Sequence, residues 1–265
     1  YGALDFDLSP DTTLGLGFAW EDVDATPCWG GLPRYADGSD LHLKRSSYLG
    51  SKWEYWDQNN TTAFSRLEYR FADSWKLLVA ASKSWSDLDM FGSMPQRMGT
   101  NYDQFGQYDG QYQYEDQQNS YDGYVTGPFS LFGRTHELVV GASRRELTFE
   151  GKGNYSDDLI GMNIHAWDPG SLPKRRLDLN YWHQDRETSQ TGTYLTSRFS
   201  VTDDLSLIIG SRLINWKRDT SDRPYGGEET EVNREENGVF IPYAGVVYDL
   251  DDTWSLYASY TKIFN

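Results

Sequence analysis

The sequence predicts an all-β chain, an antiparallel up-and-down transmembrane β-barrel, on three observations. Apolar residues recur at every second position through about ten segments. The connections between those segments alternate between short and long. Aromatic residues make up 15% of the chain, with 10 Trp and 19 Tyr, a high share for a soluble domain.

The segments pair as hairpins. Residues 1–8, YGALDFDL, put Leu4, Phe6 and Leu8 on one face and Ala3, Asp5 and Asp7 on the other. After the turn SPDT, TLGLGFAWE puts Leu14, Leu16, Phe18 and Trp20 on one face. In residues 61–71, Ala63, Leu67, Tyr69 and Phe71 oppose Arg66, Glu68 and Arg70; the partner strand carries Trp75, Leu77, Val79 and Ala81 on one face. A third pair runs from 111–126 to 135–149 across GPFSLFGR. A fourth joins TYLTSRFSV to LSLIIGSRLINW, and a fifth joins GVFIPYAGVVY to TWSLYASYTKIF. Pro242 inside the ninth segment predicts a local bulge or an unpaired N–H.

Short turns fall at 9–12, 72–74, 127–134, 202–204 and 249–252. Long polar connections fall near 23–49, 86–110, 151–187 and 219–236. Alternation alone suits a soluble sandwich as well as a membrane barrel. Short turns at one end and long loops at the other favour the barrel, with periplasmic turns and extracellular loops. Phe71, Trp75, Tyr248 and Trp254, near strand ends, suit an interfacial girdle facing outer-membrane lipid. The face with Asp, Arg, Glu and Gly is too polar for lipid and is read as lumen-facing. Its charges Arg66, Glu68, Arg70, Arg198 and Arg212 are expected to form cross-strand ion pairs or to contact a plug inside the lumen. Both ends read as cut within strands. The chain is therefore read as a ten-strand arc of a wider, filled barrel of about 22 strands, as one domain over 1–265.

No enzyme constellation is visible. The four His are scattered without metal-ligand spacing, and the acidic pairs Asp157-Asp158 and Asp203-Asp204 read as solvated loop and turn residues. The single cysteine, Cys28, excludes an internal disulfide and reads as a free thiol. A net charge of −16 argues against a nucleic-acid partner. No apolar run is long enough for a membrane helix, a test to which barrels are invisible.

The stretches YGALDFDLSPDT, GSKWEYWDQ, TGPFSLFGRTHELVVGAS, YLTSRFSVTDDLSLIIGSRL and GVFIPYAGVVYDLDDTWSLYASYTKIF occur in order along nearly the whole chain. Together they resemble the TonB-dependent ferric-siderophore receptors, and among them the ferripyoverdine receptors. The resemblance implies an outer-membrane barrel that binds a ferric siderophore at its extracellular face and imports it with TonB-derived energy. It implies that the iron arrives chelated, so that no protein cofactor is needed. It also implies a plug domain, through which TonB acts; that domain is expected to lie outside this chain. The readings weighed against it are a passive porin with an acidic lumen and a soluble carbohydrate-binding protein.

Trp29, in PCWGGLP, and Trp56, in KWEYWDQ, match the aromatic pocket of ferripyoverdine receptors. A further pocket tryptophan of that family would fall near 94–98, where this chain reads MPQRM. Tyr35 and Trp167 are weaker candidates without a motif match, and loop packing explains them more simply. If the strand at 61–71 runs back without a bulge, Trp53 and Tyr55 face outward as interfacial anchors, and Glu54 and Trp56 face the lumen.

Overall fold

A computed structural model describes residues 1–26, 29–72, 74–98, 104–156 and 158–264. Cys28 and Asp157, both named above, lie outside the described residues. The alternating segments form strands β1 Gly2–Ser9, β2 Thr12–Ala25, β3 Tyr55–Phe71, β4 Trp75–Arg97, β5 Phe105–Leu131, β6 Arg134–Tyr155, β8 Trp182–Ser200, β9 Leu205–Arg223, β10 Thr230–Asp249 and β11 Ser255–Thr261. A short β7, Ile160–Met162, precedes β8. All lie in one sheet ordered as the chain runs, with β7 attached to β5 off the main path.

The two faces differ as the alternation requires. Leu16, Phe18, Val79, Val140, Leu195, Ile209 and Leu213 share one face and are exposed. An apolar surface of this extent needs lipid against it. On the other face Glu68 meets Arg70 at 2.9 Å and, from the next strand, Lys76 at 3.3 Å. The Arg212 guanidinium donates to Ser143 Oγ at 2.7 Å, and the Tyr194 hydroxyl donates to Asp122 at 3.1 Å. This polar ladder suits a lumen.

Two turn expectations change in detail. The connection at 127–134 is a two-residue turn, Phe132–Gly133, with φ of 50° and 76°. Positive φ at both positions is what a tight right-twisted hairpin needs. Pro242 pairs with Ser211 in an unbroken register, and its carbonyl accepts from Lys262 N at 3.2 Å where the β10–β11 ladder ends. The proline therefore sits at a ladder terminus and causes no bulge. The bulge in β10 lies between Glu236 and Val239, where Gly238 adopts φ 66° and its N–H donates to Asn215 Oδ1 at 2.8 Å.

The strands also run further than the alternation indicates. β5 has 27 residues, about 90 Å of extended chain, whereas crossing a bilayer takes about 9–11 residues. Most of the polar stretch near 86–110 is therefore strand, projecting beyond the apolar band. There the side that faces lipid lower down becomes covered: Val79 is 46% exposed, but Phe91, Ser93 and Gln107 are 0% exposed. The cover is a small lobe formed by the β2–β3 and β6–β8 connections. Leu41, Leu49, Met162 and Ile164 form its core with Phe105 of β5. β7 locks it in place by pairing Ile160–Met162 with Phe105–Gln107.

The lobe corrects the expectation for Trp53 and Tyr55. Trp53 precedes β3, packs at a tilt against Phe91 with ring centroids 4.7 Å apart, and donates from Nε1 to the Leu172 carbonyl at 3.0 Å. The Tyr55 hydroxyl donates to Asp89 at 3.0 Å, and Lys174 Nζ lies 4.8 Å from the centre of its ring. Both residues point to the expected side, but the lobe covers that side, so they pack against protein. Glu54 also turns away from the lumen. Its carboxylate is buried, accepts from Ser51 N at 2.5 Å, and is hydrogen-bonded to Ser93 of β4. Burial pushes this carboxyl above the usual range for a glutamate.

Candidate ligand-binding site

β3 pairs with β2 and with β4 without a register shift over its length, so the alternation at Trp56 continues that of Arg66 and Glu68. Trp56 therefore lies on the luminal face. Following the ladders across the sheet, one row on that face reads Ala25, Trp56, Met90, Tyr112, Gly153 and Trp182. The row lies at the long-loop end of the strands.

Trp29, from the β2–β3 connection, folds onto this row. Its ring meets Tyr112 edge to face, with centroids 5.1 Å apart, a favoured geometry for aromatic pairs. Gly110 makes the contact possible, because a Cβ there would lie 2.5 Å from the indole. Behind the indole loop, a Cβ at Gly30 would lie 2.8 Å from Met94 Cγ. Met94 Sδ accepts from the Tyr108 hydroxyl at 3.6 Å. The methionine thus packs where the resemblance would put a third tryptophan.

From the β9–β10 connection comes Tyr225. Its hydroxyl is hydrogen-bonded to that of Tyr112 at 3.0 Å, and its ring packs edge-on against Tyr155 at 4.5 Å. Burial raises the Tyr225 phenol above its ordinary value, so it stays neutral near pH 7. Trp29, Gln96, Tyr108, Tyr112, Tyr155 and Tyr225 surround a cavity of about 520 Å³, within the size range of small-molecule sites. Its walls are mainly flat rings and phenolic hydroxyls, completed by Gln96, Ser156 and Leu159, and carry no formal charge. Such a site holds a planar group by stacking and orients it by hydrogen bonds.

The four sequence-derived candidates separate. Trp29 lines the cavity. Trp56 shares its row but stands two strands from Tyr112, about 10 Å away, and donates from Nε1 to Gln58 Oε1 at 3.4 Å. Tyr35 and Trp167 belong to the lobe on the opposite side of the sheet. Tyr35 packs near Phe105 at 6.3 Å, and Trp167 Nε1 donates to the Gly50 carbonyl at 2.8 Å. They take the loop-packing role, away from the cavity. The sequence reading missed Tyr108, Tyr112, Tyr155 and Tyr225. For the first two a signal existed: in YDGQYQYE the tyrosines at 108, 112 and 114 share the parity of the luminal face.

A lipid-facing sheet with an aromatic cavity at its long-loop end is the build of a membrane barrel wall carrying a binding site at its mouth. The chain belongs to the TonB-dependent receptor-like β-barrel family, whose model matches residues 1–265, and is thus an arc of an outer-membrane barrel. It is 47% identical to the ferric-pyoverdine BN7/BN8 receptor of Pseudomonas putida, covering 100% of this chain and 34% of that protein. It is 38% identical to the ferripyoverdine receptor of Pseudomonas aeruginosa, covering 100% of this chain and 32% of that protein. Among solved structures, the outer-membrane ferripyoverdine receptor of Pseudomonas aeruginosa bound to ferripyoverdine superimposes with a TM-score of 0.80 at 33% identity, over 98% of this chain and 34% of that one. The chain spans about a third of the length of the curated relatives it matches.

Proposed function

We propose that this chain forms the ligand-facing wall of an outer-membrane receptor that binds a ferric siderophore of the pyoverdine type and imports it. The observation that carries the reading is the uncharged, ring-walled cavity at the barrel mouth, in a chain whose relatives are ferric-pyoverdine receptors. A ferric siderophore brings its own oxygen ligands, so the receptor needs no metal-binding side chains. It needs ring faces for a flat chromophore and hydroxyls for its rim. Trp29 and Tyr155 supply the faces, backed by the buried Tyr112, and Tyr108 and Tyr225 supply hydroxyls. Trp56, on the same wall, is placed to meet a part of the ligand that extends past the cavity. Family membership supports uptake coupled to TonB through a plug carried elsewhere in the longer protein.

The test is quenching of tryptophan fluorescence in the full-length receptor, titrated with a panel of ferric siderophores. Saturable quenching by ferric pyoverdines, and weaker quenching by ferric chelates without an aromatic chromophore, is expected. Equal response to all chelates, or none to any, overturns the reading.

A further inference from the structure

We infer that Arg175 and Asp109 are a positioning pair for the cavity, acting from the opposite side of the sheet. The inference rests on reading the cavity as a siderophore site. Asp109 lies between two residues of the cavity wall. Tyr108 lines the cavity, and Gly110 is the seat of the Trp29 indole. Strand alternation turns the Asp109 side chain the other way, under the lobe. There it is 1% exposed, and its Oδ2 takes the Arg175 Nε–H at 2.6 Å. Its Oδ1 is buried without a hydrogen-bond partner. Arg175 also donates to the Asp158 carbonyl at 3.2 Å, which ties the β6–β8 connection together.

The backbone of the same aspartate reaches the cavity. Asp109 N donates to Ser156 Oγ at 3.0 Å, and Ser156 N donates to the Asp109 carbonyl at 2.8 Å. Ser156 lines the cavity beside Tyr155. One residue thus holds the lobe by its side chain and the far cavity wall by its backbone. The ends of β4 and β5 project beyond the apolar band, where β5 takes on its other edge the three residues of β7 at 105–107, and so narrow a ribbon is only marginally stable in water. The ion pair adds to β7 a side-chain tie at residue 109, between that short ladder and Ser156, and so sets the gap between Trp29 and Tyr155.

The electrostatics define the experiment. Removing only Arg175 strands a buried carboxylate, whereas removing both charges relieves it. In the full-length receptor, Arg175→Ala, Arg175→Lys and the double variant Arg175→Ala/Asp109→Asn are compared, with assembly verified by heat-dependent migration of the barrel. Amide hydrogen exchange is followed at 108–112 and 154–156 without ligand, and affinity is measured for a ferric pyoverdine. Arg175→Ala is expected to speed exchange in both stretches and weaken binding about tenfold, the scale of coupling between linked sites. The lysine and double variants are expected to recover most of both. Unchanged exchange at 154–156 in Arg175→Ala overturns the inference, as does faster exchange with unchanged affinity. If the wild-type receptor binds no ferric siderophore, the functional reading falls, and the exchange arm alone supports or overturns the coupling across the sheet.

Discussion

The hydroxyls of Tyr112 and Tyr225 meet at 3.0 Å although 113 residues separate them in sequence. The bond joins a rigid strand to the tip of a loop. It is the point at which the β9–β10 connection is fastened over the cavity. Tyr225→Phe keeps the ring contacts with Tyr155 and Trp182 and removes only this bond. A net loss of about 1 kcal/mol is expected, or about fivefold in Kd for the ferric siderophore, read by fluorescence titration. Tyr225→Ala is expected to lose several times more, because the ring packing goes with it.

Gly110 tests the placement of Trp29 without touching the indole. A methyl at this position would lie 2.5 Å from Trp29 and 2.9 Å from Tyr112. Gly110→Ala is expected to assemble into the membrane at a normal level and to bind poorly, with a shifted tryptophan emission maximum. A variant that binds like the wild type would show that Trp29 is not held where the ring contact puts it.

Trp29 and Trp56 are predicted to be unequal. Stacking on one ring is worth about 1–3 kcal/mol, and Trp29 forms a wall of the cavity while Trp56 stands beside it. Trp29→Ala is expected to weaken binding by roughly tenfold or more, and Trp56→Ala by a smaller factor. Equilibrium binding of the two variants to the same ferric pyoverdine decides the order.

Glu54 gives a pH dependence with a definite sign. Its carboxyl titrates above 4.5 in the folded lobe because burial disfavours the charge. The folded state then holds the proton more tightly than the unfolded chain. The stabilisation is fully present below about pH 4.5 and is lost as the pH rises through the folded value. Hydrogen exchange at 48–54, corrected for intrinsic rate, should therefore speed up from acidic to neutral pH, and Glu54→Gln should flatten that trend. The Tyr48 hydroxyl donates to the same carboxylate, 3.4 Å from Oε2.

The membrane-crossing part of the fold is legible in the sequence because lipid touches one face of each strand and the lumen the other. Leu14, Leu16 and Phe18, or Leu207, Ile209 and Leu213, write that contrast directly into the chain. Above the bilayer the contrast disappears. The ends of β4 and β5 carry Phe91, Ser93 and Gln107 under the lobe and Tyr108 and Tyr112 toward the cavity, so apolar and polar residues fall on both sides. A period-2 reading then returns loop where the structure has strand. Trp29 and Trp56 enter through the resemblance carried by short motifs, and the face on which Trp56 lies follows from the alternation because β3 has no bulge. Tyr225 was not legible, since no local pattern tells a loop tyrosine that it will meet a strand 113 residues away. Tyr35 and Trp167 share the aromatic character of a pocket residue, and only the position of Phe105 beneath them shows that they build a core.

The lobe on the outer side of the β4–β5 hairpin also separates the surface that the surroundings see from the side that carries the cavity. A large molecule settling on that lobe, such as an antibody fragment, would occupy the reverse of the wall that carries the cavity. It and a ligand in the cavity could be bound at once, and any effect of one on the other would pass through the thickness of a single sheet. Inhibition of uptake from that side would then show as a fall in affinity that levels off once the binder saturates, an allosteric pattern to be looked for in binders raised against the cell surface.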